Sequence, residues 1–283
     1  MIVVTAATGT LGQAIAAALS PSVDPATVRL TGRDPAKLAP WADKGFATAR
    51  ADYDDPASLV AAFQGADVAV IISSMGPNEA RIAHHRAAID AAKAAGVGKV
   101  IYTSAVNPST SSAFVWAAVH EDTEAYLAAS GLPHVILRDA MYIANMDATF
   151  AHALETGTLA FPGATGKVAY TSHGDVAAAV VAALTAPAGI YEITGPAALD
   201  GADLAQALGA ATGKTIAWAD APVAAFQDLF RSMGWPAFVV EGVSSIYKAY
   251  AAGEYAAVSG DFQRLTGRGA TPVAEILKVK YGA

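Results

Sequence analysis

The chain has 283 residues, of which 54% are hydrophobic and 15% charged, with no cysteine and a formal net charge of −7. Such a length buries a large core, the missing cysteines exclude disulfides, zinc–thiolate centres and thiol nucleophiles, and the acidic balance opposes nonspecific binding to nucleic acid or an anionic membrane. No apolar run reaches the roughly 18 residues of a membrane span, and no basic segment precedes an apolar one at the N-terminus, so a cytoplasmic protein with neither nucleic acid nor membrane as partner is expected.

Ile2, Val3 and Val4 form a β-branched run, the stretch Thr5-Ala6-Ala7-Thr8-Gly9-Thr10-Leu11-Gly12 turns sharply, and residues 13–19 are helix formers. Strand, glycine-containing turn and helix leave bare backbone N–H groups at a helix N-terminus, where the peptide dipoles also favour an anion, so a pyrophosphate is the expected ligand. The motif points to a dinucleotide. Ala6 stands where the turn is tightest and a glycine is expected.

Residues 28–31 predict a second strand that ends at Gly32-Arg33-Asp34-Pro35. The residue just past the second strand of such a unit faces the adenosine ribose, and a guanidinium there pairs with a 2′-phosphate. Arg33 therefore favours NADP over NAD, unless it is simply a surface arginine. A third strand over 46–51 leads to Asp52 and Tyr53, either a rest for the adenine or plain turn residues. Asp55 is the expected N-cap, with Pro56 in the first turn, of a helix through Phe63.

The almost wholly apolar run 68–72 fits a parallel strand buried on both faces, and it ends in Ser73-Ser74-Met75-Gly76-Pro77. A helix over 78–95, a strand over 100–103, a helix over 114–129 and a strand over 134–137 follow, then a loop over 138–145 and a helix over 146–155. Strands and helices alternating at this spacing predict an α/β fold with a doubly wound parallel sheet, whose ligand lies at the carboxyl ends of the strands. Residues 175–184 and 190–194 return to the sheet, whereas 163–167 and the chain from Asp200 read as less regular. The division is a dinucleotide-binding part, 1–145 plus about 168–195, and a smaller C-terminal substrate lobe, about 146–167 plus 196–283.

Thr8-Gly9-Thr10-Leu11-Gly12, Gly32-Arg33-Asp34-Pro35, Ala51-Asp52-Tyr53-Asp54, Ile72-Ser73-Ser74, Tyr102-Thr103-Ser104, His120 with Thr123-Glu124, Leu137-Arg138 with Tyr142 and Asn145, and Asp175-Val176-Ala177 fall in order across almost the whole chain. In these the chain resembles the NmrA-like branch of the atypical short-chain dehydrogenase/reductases, and within it the bacterial NAD(P)H:quinone oxidoreductases and triphenylmethane reductase. The resemblance implies a Rossmann fold and cofactor contacts from Thr8, Gly9, Thr10, Leu11, Arg33, Ser73, Ser74 and the loop from Arg138 through Tyr142 to Asn145. Gly12, Asp52, Tyr53, Met75 and Thr103, along the same edge, complete the expected set. It also places His173 where relatives carry a basic cofactor contact. Met75 and the pair Asp139-Ala140 depart from the family pattern.

The wider superfamily draws its proton from a Tyr-x-x-x-Lys pair on the helix after the fifth strand; that spacing here gives Trp116-Ala117-Ala118-Val119-His120. Losing that acid disfavours simple ketone reduction. A quinone yields a far less basic phenolate-type anion, so delivery of hydride by proximity suffices. His120 is the candidate proton donor, its unperturbed pKa lying near neutrality, or else a core histidine. Tyr142 is a second candidate donor. Phe114, Trp116 and Met146 form either an aromatic-friendly substrate wall or ordinary core. The expected activity is NADPH-dependent reduction of a quinone or similar conjugated aromatic acceptor, with no metal, with NAD as a possible substitute and a homodimer compatible. Its alternatives are a non-catalytic NAD(P)-sensing regulator and an oxidoreductase that tailors an aromatic polyketide.

Overall fold

The computed structural model describes residues 1–282. Its frame is a parallel sheet of seven strands: β1 (Ile2–Val4), β2 (Val28–Gly32), β3 (Ala47–Arg50), β4 (Val68–Ile72), β5 (Lys99–Ala105), β6 (His134–Asp139) and β8 (Gly189–Ile193), in the spatial order β3-β2-β1-β4-β5-β6-β8. β1 lies at the centre, Val4 standing beside Leu30 on one side and Val70 on the other. From there the chain winds outward first through β2 and β3, then in the opposite direction from β4. Between β1 and β4 the winding reverses, and the crevice at their carboxyl ends is where such sheets bind ligands.

Helices cover both faces, as the apolar strands require. On one face α1 (Thr10–Leu19) and α7 (His173–Ala183) pack together over Val4, Leu30, Val70 and Leu137. The other carries α3 (Pro56–Phe63), α4 (Asn78–Ala94) and α5 (Ala117–Ser130) over Val3, Ala69, Ile71 and Val100. A short α2 (Ala39–Ala42) precedes β3. Asp55 caps α3 by accepting from Ser58 N at 3.2 Å, with Pro56 in the first turn.

A third core gathers α6 (Asp147–Thr156), the two-stranded parallel sheet of β7 (Thr158–Phe161) and β9 (Ala217–Asp220), α8 (Gly201–Thr212), α9 (Val223–Ser232), α10 (Ala237–Ala251) and α12 (Val273–Tyr281). The short α11 (Asp261–Thr266) instead joins the core around α1 and α7 through Phe262. The region beyond Asp200 is thus far more regular than its sequence suggests. Asp200 forms a capping box with Asp203, and Pro222, Pro236 and Pro272 each sit at the N-cap of a helix. These prolines start helices; they do not interrupt them. No helix among the described residues is long and apolar enough to cross a membrane.

Candidate functional site

The turn between β1 and α1 opens into a cleft of about 990 Å³ that runs along the carboxyl ends of the sheet and under α9 and α10. No side chain caps α1, and its first turn carries no acid, which leaves its N-terminal dipole free to meet an anion. A Cβ on Gly12 would stand 2.5 Å from the Cα of Ala7, so helix and turn approach as closely as bare backbone allows. Gly32 is equally tight, a Cβ there meeting Cγ2 of Thr8 at 2.9 Å. That contact brings Arg33 to the outer end of the cleft, where it is exposed. The cradle fits a dinucleotide diphosphate.

Ala6 has φ +48°. The tight turn keeps the left-handed backbone that glycine adopts freely, and the methyl group makes it strained, at about 1–2 kcal/mol for an L-residue. Ala6→Gly relieves this strain but adds about 0.5–1 kcal/mol of unfolded-chain entropy. The expected net gain is about 0.5–1 kcal/mol, read as a rise in melting temperature of about 2 °C; a fall would show that the methyl's packing outweighs the strain.

Of the residues expected around the cofactor, Thr8, Gly9, Thr10, Leu11, Gly12, Arg33, Asp52, Tyr53, Ser73, Ser74, Met75, Thr103, Tyr142 and Asn145 all line this cleft. The Tyr53 hydroxyl donates to Ile72 O at 2.6 Å and lies 2.7 Å from Oγ1 of Thr5, fastening the loop after β3 to the ends of β1 and β4. Oγ1 of Thr103 accepts from Ser73 N at 3.2 Å and shapes the loop after β4. Met75 stands at the rim, 70% exposed.

Arg138 is a correction. β6 runs two residues further than the sequence suggests, to Asp139, and alternation along a strand sends Arg138 away from the cleft. Its guanidinium makes a two-pronged bond to Glu124, at 3.0 and 2.6 Å, and lines a separate hollow beside Glu192 and Glu254. His173 does not line the cleft either; it stacks on Tyr142 with ring centroids 4.2 Å apart.

The two candidate proton donors behave differently from the expectation. Burial, reinforced by the Arg81 cation and by His85, holds His120 well below the usual histidine range. Its Nε2 accepts from Nη2 of Arg81 at 3.4 Å, and its Nδ1 lies 2.8 Å from the Tyr102 hydroxyl. His120 is therefore a neutral imidazole at pH 7, not a stored proton. The Tyr142 hydroxyl donates to Asp139 at 2.7 Å, and burial together with that carboxyl raises its pKa well above 10. Asp139 is itself buried, which pushes its carboxyl up to about 8, and its Oδ1 has no hydrogen-bond partner among the described residues.

The inner end of the cleft is aromatic. Phe114 and Met146 are buried core residues that also line it, and Trp116 meets Phe114 edge-on at 5.7 Å. Trp116 sits one residue ahead of α5, which begins three residues later than the sequence suggests. Phe226, Phe230, Trp235 and Tyr247, from α9, α10 and the turn between them, close the chamber from above. Phe230 and Trp235 stack in parallel at 4.5 Å.

Sequence reasoning missed the polar cluster behind this chamber. Arg81 and His85, one turn apart on α4, share the inward face with Ala88 and Ala92, a helical spacing that marks them as buried. Nε2 of His85 accepts from Ser74 N at 3.0 Å, and its Nδ1 lies 2.8 Å from Oγ1 of Thr123. His84 lies 3.1 Å from Oγ of Ser74 and 2.8 Å from the exposed Asp54 carboxylate. Among the described residues no cluster of His, Asp and Glu suits a metal ion.

The model of the NmrA-like family matches residues 1–269. The chain belongs to the NmrA-like family. It is 35% identical to quinone oxidoreductase 2 of Escherichia coli over 240 residues, 83% of each chain. The NADPH complex of that organism's NADPH-dependent quinone oxidoreductase superposes with a TM-score of 0.92 at 31% identity, covering both chains fully. The NAD(P)H azoreductase of Xenophilus azovorans is 28% identical over 100% of this chain and 99% of its own. The Citrobacter triphenylmethane reductase, solved with NADP(H), gives a TM-score of 0.90 at 27% identity over 99% of this chain and 100% of its own. By name or by bound cofactor these relatives are NAD(P)H-dependent reductases, and the two solved structures share the chain's fold.

Proposed function

We propose that this chain is an NADPH-dependent reductase that delivers hydride to a quinone or a similar flat, conjugated acceptor. One observation carries the reading: the diphosphate cradle and the aromatic chamber are two ends of a single cleft, and the chamber holds Trp116 and a neutral His120 where a Tyr/Lys pair would protonate a ketone. The reduced dinucleotide supplies the hydride, and a quinone plus that hydride plus one solvent proton is a hydroquinone. The chain's residues bind and orient. The uncapped turn of α1 holds the diphosphate, Arg33 holds the 2′-phosphate, and Phe114, Trp116, Met146 and Phe230 flank a planar ring and exclude water from it. Proximity supplies the rate enhancement where a positioned acid is missing.

Purified protein is expected to oxidise NADPH when a benzoquinone or naphthoquinone is added, followed by the loss of dihydronicotinamide absorbance. Binding of NADPH with no turnover across a broad quinone panel overturns the reading. The missing Tyr/Lys pair also suits a non-catalytic NAD(P) sensor, and cofactor-dependent capture of a protein partner without turnover would favour that role.

A further inference from the structure

The two half-buried arginines of this protein hold carboxylate or carbonyl oxygens: Arg138 pairs with Glu124 at 2.6 Å, and Arg29 donates to the backbone carbonyls of Ala62 and Gln64 at 2.6 and 3.1 Å. Arg81 is the exception. It is 4% exposed, and the partners of its guanidinium among the described residues are both neutral: Nη2 donates to Oγ of Ser73 at 2.8 Å and to Nε2 of His120 at 3.4 Å. Nε and Nη1 have no hydrogen-bond partner among the described residues. An arginine starts so far above neutrality that burial leaves it charged, and a buried cation without a counter-charge is costly unless a ligand completes it.

Where the cation sits decides what that ligand is. Arg81 lines the cleft together with Ser73, Ser104, His120 and Trp116, and the Trp116 ring centroid lies 5.5 Å from its Cζ. This is the chamber end; the diphosphate cradle at Thr8 to Gly12 is the other. The neutrality of His120 fits the same picture, because an imidazole that accepts from a guanidinium orients it and adds no second positive charge.

We propose that Arg81 binds the acceptor oxygen on which negative charge develops, standing beside Trp116 and His120 where the wider superfamily carries its Tyr/Lys pair, and that it thereby selects acceptors that become oxyanions over acceptors that arrive as cations. The proposal rests on the hydride-transfer reading above. Hydride adds to the quinone, its carbonyl π electrons move onto oxygen, the resulting hydroquinone monoanion is held against the guanidinium, and solvent supplies the one proton that completes the product. A cationic triarylmethane dye, by contrast, meets a like charge on entry and leaves no oxyanion on reduction.

The test compares wild type with Arg81→Met and Arg81→Lys. Each is assayed for NADPH affinity by calorimetry, for melting temperature, and for kcat/KM toward a naphthoquinone and a cationic triarylmethane dye. In Arg81→Met, quinone turnover is expected to fall about 100-fold, dye turnover to hold or rise, and NADPH affinity to stay within about twofold. Arg81→Lys is expected to recover part of the quinone rate. A merely structural arginine would lower both acceptors together, and that result overturns the proposal. A loss confined to NADPH affinity also overturns it, since the cation would then serve the cofactor.

Should the variants fail to fold, wild type decides: 2-naphthoate is expected to compete with the quinone at least tenfold better than the matching naphthylmethylamine, and equal inhibition overturns the assignment. Wild type that binds NADPH but reduces no quinone sinks the hydride-transfer reading, while calorimetry of naphthoate against the amine still reports separately on Arg81.

Discussion

Replacing Arg33 by alanine is expected to weaken NADPH binding by roughly 10- to 100-fold while leaving NADH within about twofold. The figure is that of one or two charge-assisted bonds to a phosphate, about 1.5–3 kcal/mol, at 1.4 kcal/mol per tenfold. Arg33 is exposed and lies at the cleft mouth, where the close contact of Gly32 with Thr8 delivers it. Because it packs against no core, its removal leaves the fold intact, and the change falls on the 2′-phosphate alone. Calorimetric titration with both coenzymes measures this directly. An equal change for the two would leave Arg33 a surface arginine and strike out the preference for NADPH.

Stability is expected to peak near pH 6.5 and to decline on both sides, for opposite reasons. On the acid side the buried histidines act. Burial first, then Arg81 and His84, hold His85 down to about 3, and His120 is held well below its usual value by burial, Arg81 and His85. Burial lowers His173 too, against the pull of Asp147. Below about pH 6.5 the unfolded chain takes up protons that these folded rings refuse, so stability that is complete above that pH is lost as pH falls. Asp139 opposes them with its carboxyl raised to about 8. The folded chain keeps a proton that the unfolded chain sheds above about pH 4, so this group lowers stability as pH rises toward 8.

Below pH 6.5 the histidines outnumber the one aspartate, and above it their contribution fades over about one pH unit and the aspartate comes to dominate. One proton amounts to about 1.4 kcal/mol per pH unit. With the unfolded histidines still offsetting part of it, the alkaline limb from pH 6.5 to 8 is about 0.5–1 kcal/mol, or about 1–4 °C in melting temperature. Asp139→Asn should abolish that limb and leave the acid one in place. A wild-type melting temperature that stays level between pH 6.5 and 8 would show Asp139 ionising without cost.

The fold was legible because its signals are local. The run Ile2-Val3-Val4, the apolar β4, the Asp55-Pro56 helix start and the glycines after β1 each state their own structure, and their alternation states the topology. The tight turn after β1 was legible for the same reason, including the place where a glycine is expected; that Ala6 keeps the left-handed backbone there was not. What escaped was non-local or depended on which way a residue points. Arg138 follows from the end of β6, and two extra strand residues move it to another face. Arg81, His84, His85 and Arg86 together look like a solvated helical stretch, and only packing separates the buried pair from the rest: Arg86 reaches Asp122 at the surface while Arg81 and His85 turn inward. The roof of the chamber escaped because Pro222 and Pro236 look like interruptions when read without their helices.

The contact between Gly242 and Trp116 gives the chamber an unexpected dependency. A Cβ at position 242 would lie 2.0 Å from Cζ2 of the indole, so α10 rests its bare backbone on that ring. Any larger residue there must displace the tryptophan, and with it the surface against which Arg81 lies. The breadth of the aromatic chamber is thus gauged from a helix far along the chain that shares no residue with the turn between β1 and α1. The width of the aromatic chamber can therefore drift through that one helix while the turn between β1 and α1 stays fixed.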